Sequence, residues 1–143
     1  MTTLLDVNVV IALLDPRHIG HIAAHTWFSS PTRGRWATCP IVENGVIRIV
    51  GSPKYVTSPG PPSNVMRLLG KLRSYGGHEF WPNEFSLLDS DLVQVSAALR
   101  PEDITDGYLL ALAVSRRGKL ATFDTKIRSA FVTGGRDALI AIQ

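Results

Sequence analysis

The chain has 143 residues, 45% hydrophobic and 19% charged, which is enough apolar material for a core and too much for a disordered segment. Its formal net charge is +3 at pH 7, and its single cysteine excludes an internal disulfide framework or a zinc ribbon. No apolar run reaches the ~18 residues of a membrane-spanning helix. No basic leader precedes the first apolar run, so no signal peptide is expected. The expectation is a soluble, cytoplasmic, single domain spanning residues 1–143, with Cys39 as a small buried hydrophobe.

In chain order, Thr2 to Asp6 is a short apolar run ending in an acid, which predicts a buried strand. Asn8 is placed to cap a helix over Val9 to Leu14. After Pro16, Ile19, Ile22, Ala23, Thr26 and Trp27 follow helical spacing as far as Ser29. Arg35 to Thr38 predicts a second strand. From Pro40, Val42, Gly45, Val46 and Ile49 predict a helix with Glu43 on an early turn. Four prolines make Ser52 to Ser63 a loop, and Ser63 is positioned to cap a helix through Leu72. Strands are expected at His78 to Pro82 and Phe85 to Leu88, then a helix at Asp89 to Leu99. Thr105 is read as the cap of a helix from Asp106 to Arg117, stopped by Gly118. Lys119 to Phe123 predicts a strand ending at Asp124, Thr125 to Phe131 a short helix, and Ala138 to Ile142 a last strand. Short, doubly buried strands alternating with helices predict an α/β domain around a mainly parallel sheet.

Charge is unevenly distributed. Residues 33–73 carry Arg33, Arg35, Arg48, Lys54, Arg67, Lys71 and Arg73 against Glu43 alone. The basic residues return at Arg116, Arg117, Lys119, Lys126, Arg128 and Arg136 against Asp124. Basic segments framing isolated acids suit a polyanion held near a metal. Asp6 and Asp124 end predicted strands, where parallel α/β sheets place their ligands. Asp106 opens a helix and Glu43 lies on one. Taken singly, each acid also reads as an ordinary cap, turn or solvated residue.

The joint arrangement resembles the PIN-domain ribonucleases, and most closely the VapC toxins of bacterial toxin–antitoxin pairs. The resemblance rests on Leu4-Leu5-Asp6-Val7-Asn8-Val9-Val10-Ile11-Ala12-Leu13, on Glu43 in Ile41-Val42-Glu43-Asn44, on Ile104-Thr105-Asp106-Gly107-Tyr108-Leu109-Leu110-Ala111-Leu112-Ala113, and on Leu120-Ala121-Thr122-Phe123-Asp124. It implies a three-layer α/β/α sandwich of PIN type. It also implies that Asp6, Glu43, Asp106 and Asp124 form a catalytic, metal-binding acidic quartet, with Asn8 and Thr122 supporting it. Mg²⁺ or Mn²⁺ is the implied ion, since hard cations take carboxylate oxygens and can activate water at a phosphate. Asp6 and Asp106 are the leading direct ligands, and Asn8 is expected to hold Asp6 in place. The implied activity is endonucleolytic cleavage of a cellular RNA, such as a transfer or ribosomal RNA, arresting growth. The implied partners are a VapB-type antitoxin covering the acidic pocket and a second copy of the chain; no membrane is involved.

Other readings fit less of the chain. A receiver-type phosphoacceptor domain needs an acceptor Asp closing a mid-chain strand, where this sequence has Glu43 on a helix. A DxD phosphatase lacks its second acid in Asp6-Val7-Asn8. A PIN fold that binds RNA without cutting is opposed by acids at all four positions. His18, His21 and His25 share one helical face, but three imidazoles over two turns reach a single zinc ion poorly; a solvated or partner-facing face is expected. Trp27, Trp36 and Trp81 are expected to pack in the core or an interface in preference to stacking on bases.

Overall fold

The computed structural model describes residues 1–94 and 96–143. Five short strands, β1 (Thr2–Leu5), β2 (Arg35–Thr38), β3 (His78–Phe80), β4 (Lys119–Thr122) and β5 (Leu139–Ala141), form one sheet in the order β3-β2-β1-β4-β5. All four pairings are parallel, so every connection is a crossover. The chain winds outward from β1 to β3, returns to the other side of β1, and winds outward again. Helices α1 (Val7–Leu14), α2 (His21–Phe28), α3 (Pro40–Val50) and α4 (Pro62–Arg73) pack together on one face. Helices α5 (Asp103–Ser115) and α6 (Gly135–Ala138) pack by β4 on the other. The result is the expected three-layer α/β/α sandwich. Leu4, Leu5, Trp36, Ala37, Leu120 and Ala121 are wholly buried between the layers, which explains why these strands read as continuous apolar runs.

Several local expectations fail for identifiable reasons. Asn8 does not cap α1. The helix follows β1 without a linker, and Asp6 Oδ1 accepts from the Val7 N–H at 2.7 Å in its place. Ser63 lies inside α4, because the Pro61–Pro62 pair starts that helix two residues earlier than a serine cap would. Likewise α5 begins at Asp103, so Thr105 sits in its first turn and is no cap. No strand forms at Phe85 to Leu88; Phe85 instead stacks on Tyr108, ring centroids 4.6 Å apart. The helix expected over Asp89 to Leu99 is replaced by turns and an isolated bridge from Val93 to Val132, with Val95 outside the described residues. Serine hydroxyls explain this: Ser86, Ser90 and Ser96 each accept the backbone N–H two residues on, competing with helical bonding. Only Ser129–Phe131 of the helix expected after Asp124 forms, as one 3₁₀ turn.

The packed face of α2 also differs. Ile19 and Ile22, expected inside, are 101% and 79% exposed, while Ala24 and Phe28 are buried. The histidines decide this rotation. His21 Nδ1 donates to the Ala12 carbonyl at 2.6 Å and His25 Nε2 to that of Leu13 at 3.1 Å, satisfying carbonyls at the end of α1 that no helical N–H can reach. His21 and His25 therefore form an internal cap, where a solvated or partner-facing face was expected.

Gly118 does not supply the left-handed residue after α5; Arg117 does, with φ 54°. Gly118 is needed for space, since a Cβ there would stand 2.3 Å from the Thr2 carbonyl oxygen and 3.0 Å from the Trp81 ring. Exposed Gly70, inside α4, has nothing within 4 Å of such a Cβ. Gly118→Ala should therefore destabilise the protein by about 1–3 kcal/mol, the usual cost of overpacking. Gly70→Ala should stabilise it by about 0.5–1 kcal/mol through helix propensity. Urea unfolding of both variants checks the pair, and equal signs would contradict the packing at the β1–β4 end.

Candidate active site

The sheet reverses its winding between β1 and β4, and the crevice of such a sheet opens at the carboxyl ends of those strands. Asp6 directly follows β1, and Asp124 lies two residues beyond β4. The register pairs Leu5 with Ala121, and the Asp6 N–H donates to the Ala121 carbonyl at 3.0 Å, so the two strand ends are level. Helix α5 runs back to the start of β4, which puts its own first turn, with Asp106, at the same edge.

Asp6 is held at both oxygens. Oδ1 accepts from Val7 N–H, and Oδ2 accepts from the Thr122 hydroxyl at 2.7 Å. The same hydroxyl oxygen accepts the Asp124 N–H at 3.0 Å, so one buried threonine orients two acidic positions. Asn8 is exposed, and among the described residues no hydrogen bond joins it to Asp6; Val7 and Thr122 do the holding expected of it. Burial raises the Asp6 pKa against those two hydrogen bonds, and the Asp124 charge raises it further. Asp106 is pushed up to about 6, first by burial and then by the charges of Asp6, Asp124 and Asp103. Three of the four expected acids therefore share one field.

Glu43 stands on the other side of β1, on the first turn of α3. Its Oε2 accepts from the Thr38 hydroxyl at 2.6 Å and lies 3.2 Å from Arg73 Nη1. Thr38 in turn accepts from His78 Nε2 at 2.8 Å. Burial, then Arg73, lowers the His78 pKa, which favours the neutral ring. Between the two groups lies Cys39, buried as expected, its thiol raised first by burial and also by the charges of Glu43 and Asp6. Thr38, Arg73 and His78 were not singled out as site residues from the sequence. The one available signal was that Thr38 ends β2 as Thr122 ends β4.

Among the described residues, no group of three or more His, Cys, Asp or Glu forms a ready-made metal cage. The donors that do gather are all carboxylate oxygens, the hard ligands of Mg²⁺ and Mn²⁺, and Mg²⁺ usually takes only one or two carboxylates besides water and phosphate. Raised pKa values at Asp6 and Asp106 mark a place short of positive charge. The residues fit a hard dication. Asp103, by contrast, is committed: Arg100 and Arg128 bond it at 3.1 and 3.0 Å, and the Arg100 bonds hold its pKa low.

The family model of the PIN domain matches residues 3–131. Ribonuclease VapC44 of Mycobacterium tuberculosis is 40% identical over 134 residues, covering 94% of each chain. Two solved structures have the same fold at 13% identity. One is M. tuberculosis VapC20, a sarcin–ricin loop cleaving toxin, with a TM-score of 0.59 over 92% of this chain and 96% of that one. The other is VapBC2 of Rickettsia felis bound to a DNA fragment of its promoter, with a TM-score of 0.58 over the whole of both chains. The chain is a member of the PIN-domain family. Within that family it belongs with the VapC ribonucleases.

A raised carboxyl pKa has a definite thermodynamic sign. Between the ordinary 3.8 and about 6, folded Asp106 holds a proton that the unfolded chain has lost. Metal-free stability should therefore fall as pH rises through that window, and Asp6 adds in the same direction. Glu79 does the reverse lower down: Arg35, Thr2 and Trp81 hold it at about 2, so its contribution is lost as pH falls from 4.5. Asp106→Asn should flatten the slope between pH 4 and 6 and leave the acid limb unchanged. Thermal melts in EDTA across pH 2–7 measure both, and an unaltered upper slope would mean Asp106 is not repelled by its neighbours.

Proposed function

We propose that this chain is the toxin of a VapBC-type pair, a Mg²⁺- or Mn²⁺-dependent endoribonuclease that cleaves cellular RNA, arrests growth and is neutralised by its antitoxin. The observation that carries the proposal is the gathering of Asp6, Asp106 and Asp124 at the reversal point of the sheet, in a chain 40% identical to a VapC ribonuclease. Asp6 and Asp106 would hold the ion, with Asp124 and Glu43 completing the site or orienting water. When bound, the ion supplies an activated water and neutralises charge on the phosphate.

The protein's own residues divide the remaining work. Thr122 fixes the Asp6 carboxylate so that its direction is set before substrate arrives. Asp106 is half-buried, and among the described residues no side-chain hydrogen bond ties it as Thr122 ties Asp6, so it can adjust to the incoming phosphate. Glu43 is braced from two sides by Thr38 and Arg73, which suits a carboxylate that positions water and does not move. The chain acts as one domain over residues 1–143, and pairing as a homodimer belongs to the same proposal. A VapB-type antitoxin is favoured by the structural neighbour, itself a VapBC complex. Among the described residues no helix is long and apolar enough to cross a membrane, which fits action on cytoplasmic RNA.

Asp6→Asn and Asp106→Asn should each lower Mg²⁺-dependent cleavage of an RNA panel by roughly a hundredfold or more, while both variants remain folded. Expression of the wild type should arrest growth, relieved by co-expressed antitoxin. Cleavage at the wild-type rate by either variant, at matched metal, would remove these residues from the site. RNA binding without cleavage by the wild type would turn the reading to a non-catalytic PIN protein.

A further inference from the structure

We infer that one nucleobase of the RNA substrate seats against His18 and Phe123, in a cavity beside the acidic site; this deepens the ribonuclease reading and rests on it. The cavity has a volume of about 430 Å³ and is lined by Asn8, His18, Ile19, Gly20 and Phe123 among others. That lies toward the lower end of the ~300–1,000 Å³ of small-ligand sites. Its position is set by the chain: Phe123 stands between Thr122 and Asp124, and Asn8 is two residues past Asp6. A nucleotide whose phosphate reaches the carboxylates therefore has its neighbouring base within reach of this wall.

The wall is built for a flat ring. The His18 and Phe123 rings lie within 20° of parallel, with centroids 6.2 Å apart. Gly20 makes that approach possible, since a Cβ there would stand 2.8 Å from the Phe123 ring and 3.2 Å from His18 Nδ1. Nδ1 accepts the Gly20 N–H at 2.9 Å, which fixes the imidazole. Ile19, fully exposed, forms an apolar lip that packing does not account for. Among the tryptophans, Trp36 and Trp81 are buried and unavailable for stacking, and the partly buried Trp27 is packed against the core. Arg17, next to His18 in the chain, and Lys126, three residues past Phe123, are exposed and enter no ion pair among the described residues, so unpaired positive charge lies close in the chain to the cavity's lining. An aromatic platform beside free cations is how single-stranded nucleic acid is held.

The test uses short oligoribonucleotides carrying 2-aminopurine on either side of the scissile phosphate, because its fluorescence is quenched when it stacks. Phe123→Leu removes a ring at similar volume, and His18→Asn removes a ring while retaining an acceptor for the Gly20 N–H. Each should raise KM by roughly ten- to hundredfold, the scale of one base–aromatic stack, with a smaller change in kcat. Each should also abolish quenching in the Asp106→Asn background, whereas Phe123→Tyr should preserve it. Folded ring-removal variants with wild-type KM and full quenching would overturn the inference, as would a loss confined to kcat. Failure of the wild type to cut any RNA would defeat the ribonuclease reading instead, and the quenching titration would then decide the base site by itself.

Discussion

The parallel pairing of β1 with β4 is the constraint on which the rest of the site depends. It aligns Leu5 with Ala121 and so brings the ends of two strands far apart in sequence to one level. The Thr122 hydroxyl then spans the gap, giving its proton to Asp6 and taking the Asp124 N–H. A slip of one residue would turn Thr122 to the opposite face and break its bond to Asp6. The register is protected because Leu4, Leu5, Leu120 and Ala121 are buried on both sides, so a slipped strand would disturb two layers at once.

Acids with a positively charged partner behave differently from those without one. Glu79, Asp103 and Glu43 each face a guanidinium, from Arg35, Arg100 with Arg128, and Arg73. Burial works against ionisation of Asp15, but the Tyr55 and Thr57 hydroxyls and the Arg17 N–H outweigh it, tying the proline-rich loop to the end of α1. Among the described residues Asp6 and Asp106 have no such counter-charge; burial lifts both, helped at Asp6 by the charge of Asp124 and at Asp106 by those of Asp6, Asp124 and Asp103. Carboxylates left short of positive charge at one sheet edge destabilise the fold locally, and such strain persists where a ligand supplies what the protein withholds. Glu43 spans both groups, neutralised by Arg73 yet fixed on the flank of the same crevice.

Cavity size is a poor guide here. The larger cavity, about 930 Å³, is lined by the ends of α1 and α4 and by the turn entering β2, at the amino ends of the strands. The carboxylates lie at the opposite edge, beside the smaller cavity. Chemistry in a doubly wound sheet follows the winding reversal, because only there do adjoining crossovers part and leave the strand ends open.

Much of this was legible from residues alone. Apolar runs at Leu4–Leu5 and Leu120–Ala121 mark buried strands, since only a sheet covered on both faces tolerates them, and the acids that close them fall at ligand-binding ends. The motifs around Asp6, Glu43, Asp106 and Asp124 were sufficient for the family. Errors fell where a local preference competes with a distant partner. Asn8 has the chemistry of a cap, yet Asp6 stands two residues nearer the strand end; Ile22 has the spacing of a core residue, yet His21 and His25 turn it outward by reaching the carbonyls of α1. Serine turns likewise defeated the helix expected near Asp91. The sequence by itself determined which groups carry the charge and which segments are buried, because both are properties of single residues and their periodicity. Which carboxylates repel, which are neutralised, and which threonine holds them was decided only by the tertiary structure. Those interactions join residues such as Thr122 and Asp6, separated by 116 positions, and no local pattern encodes such a pairing.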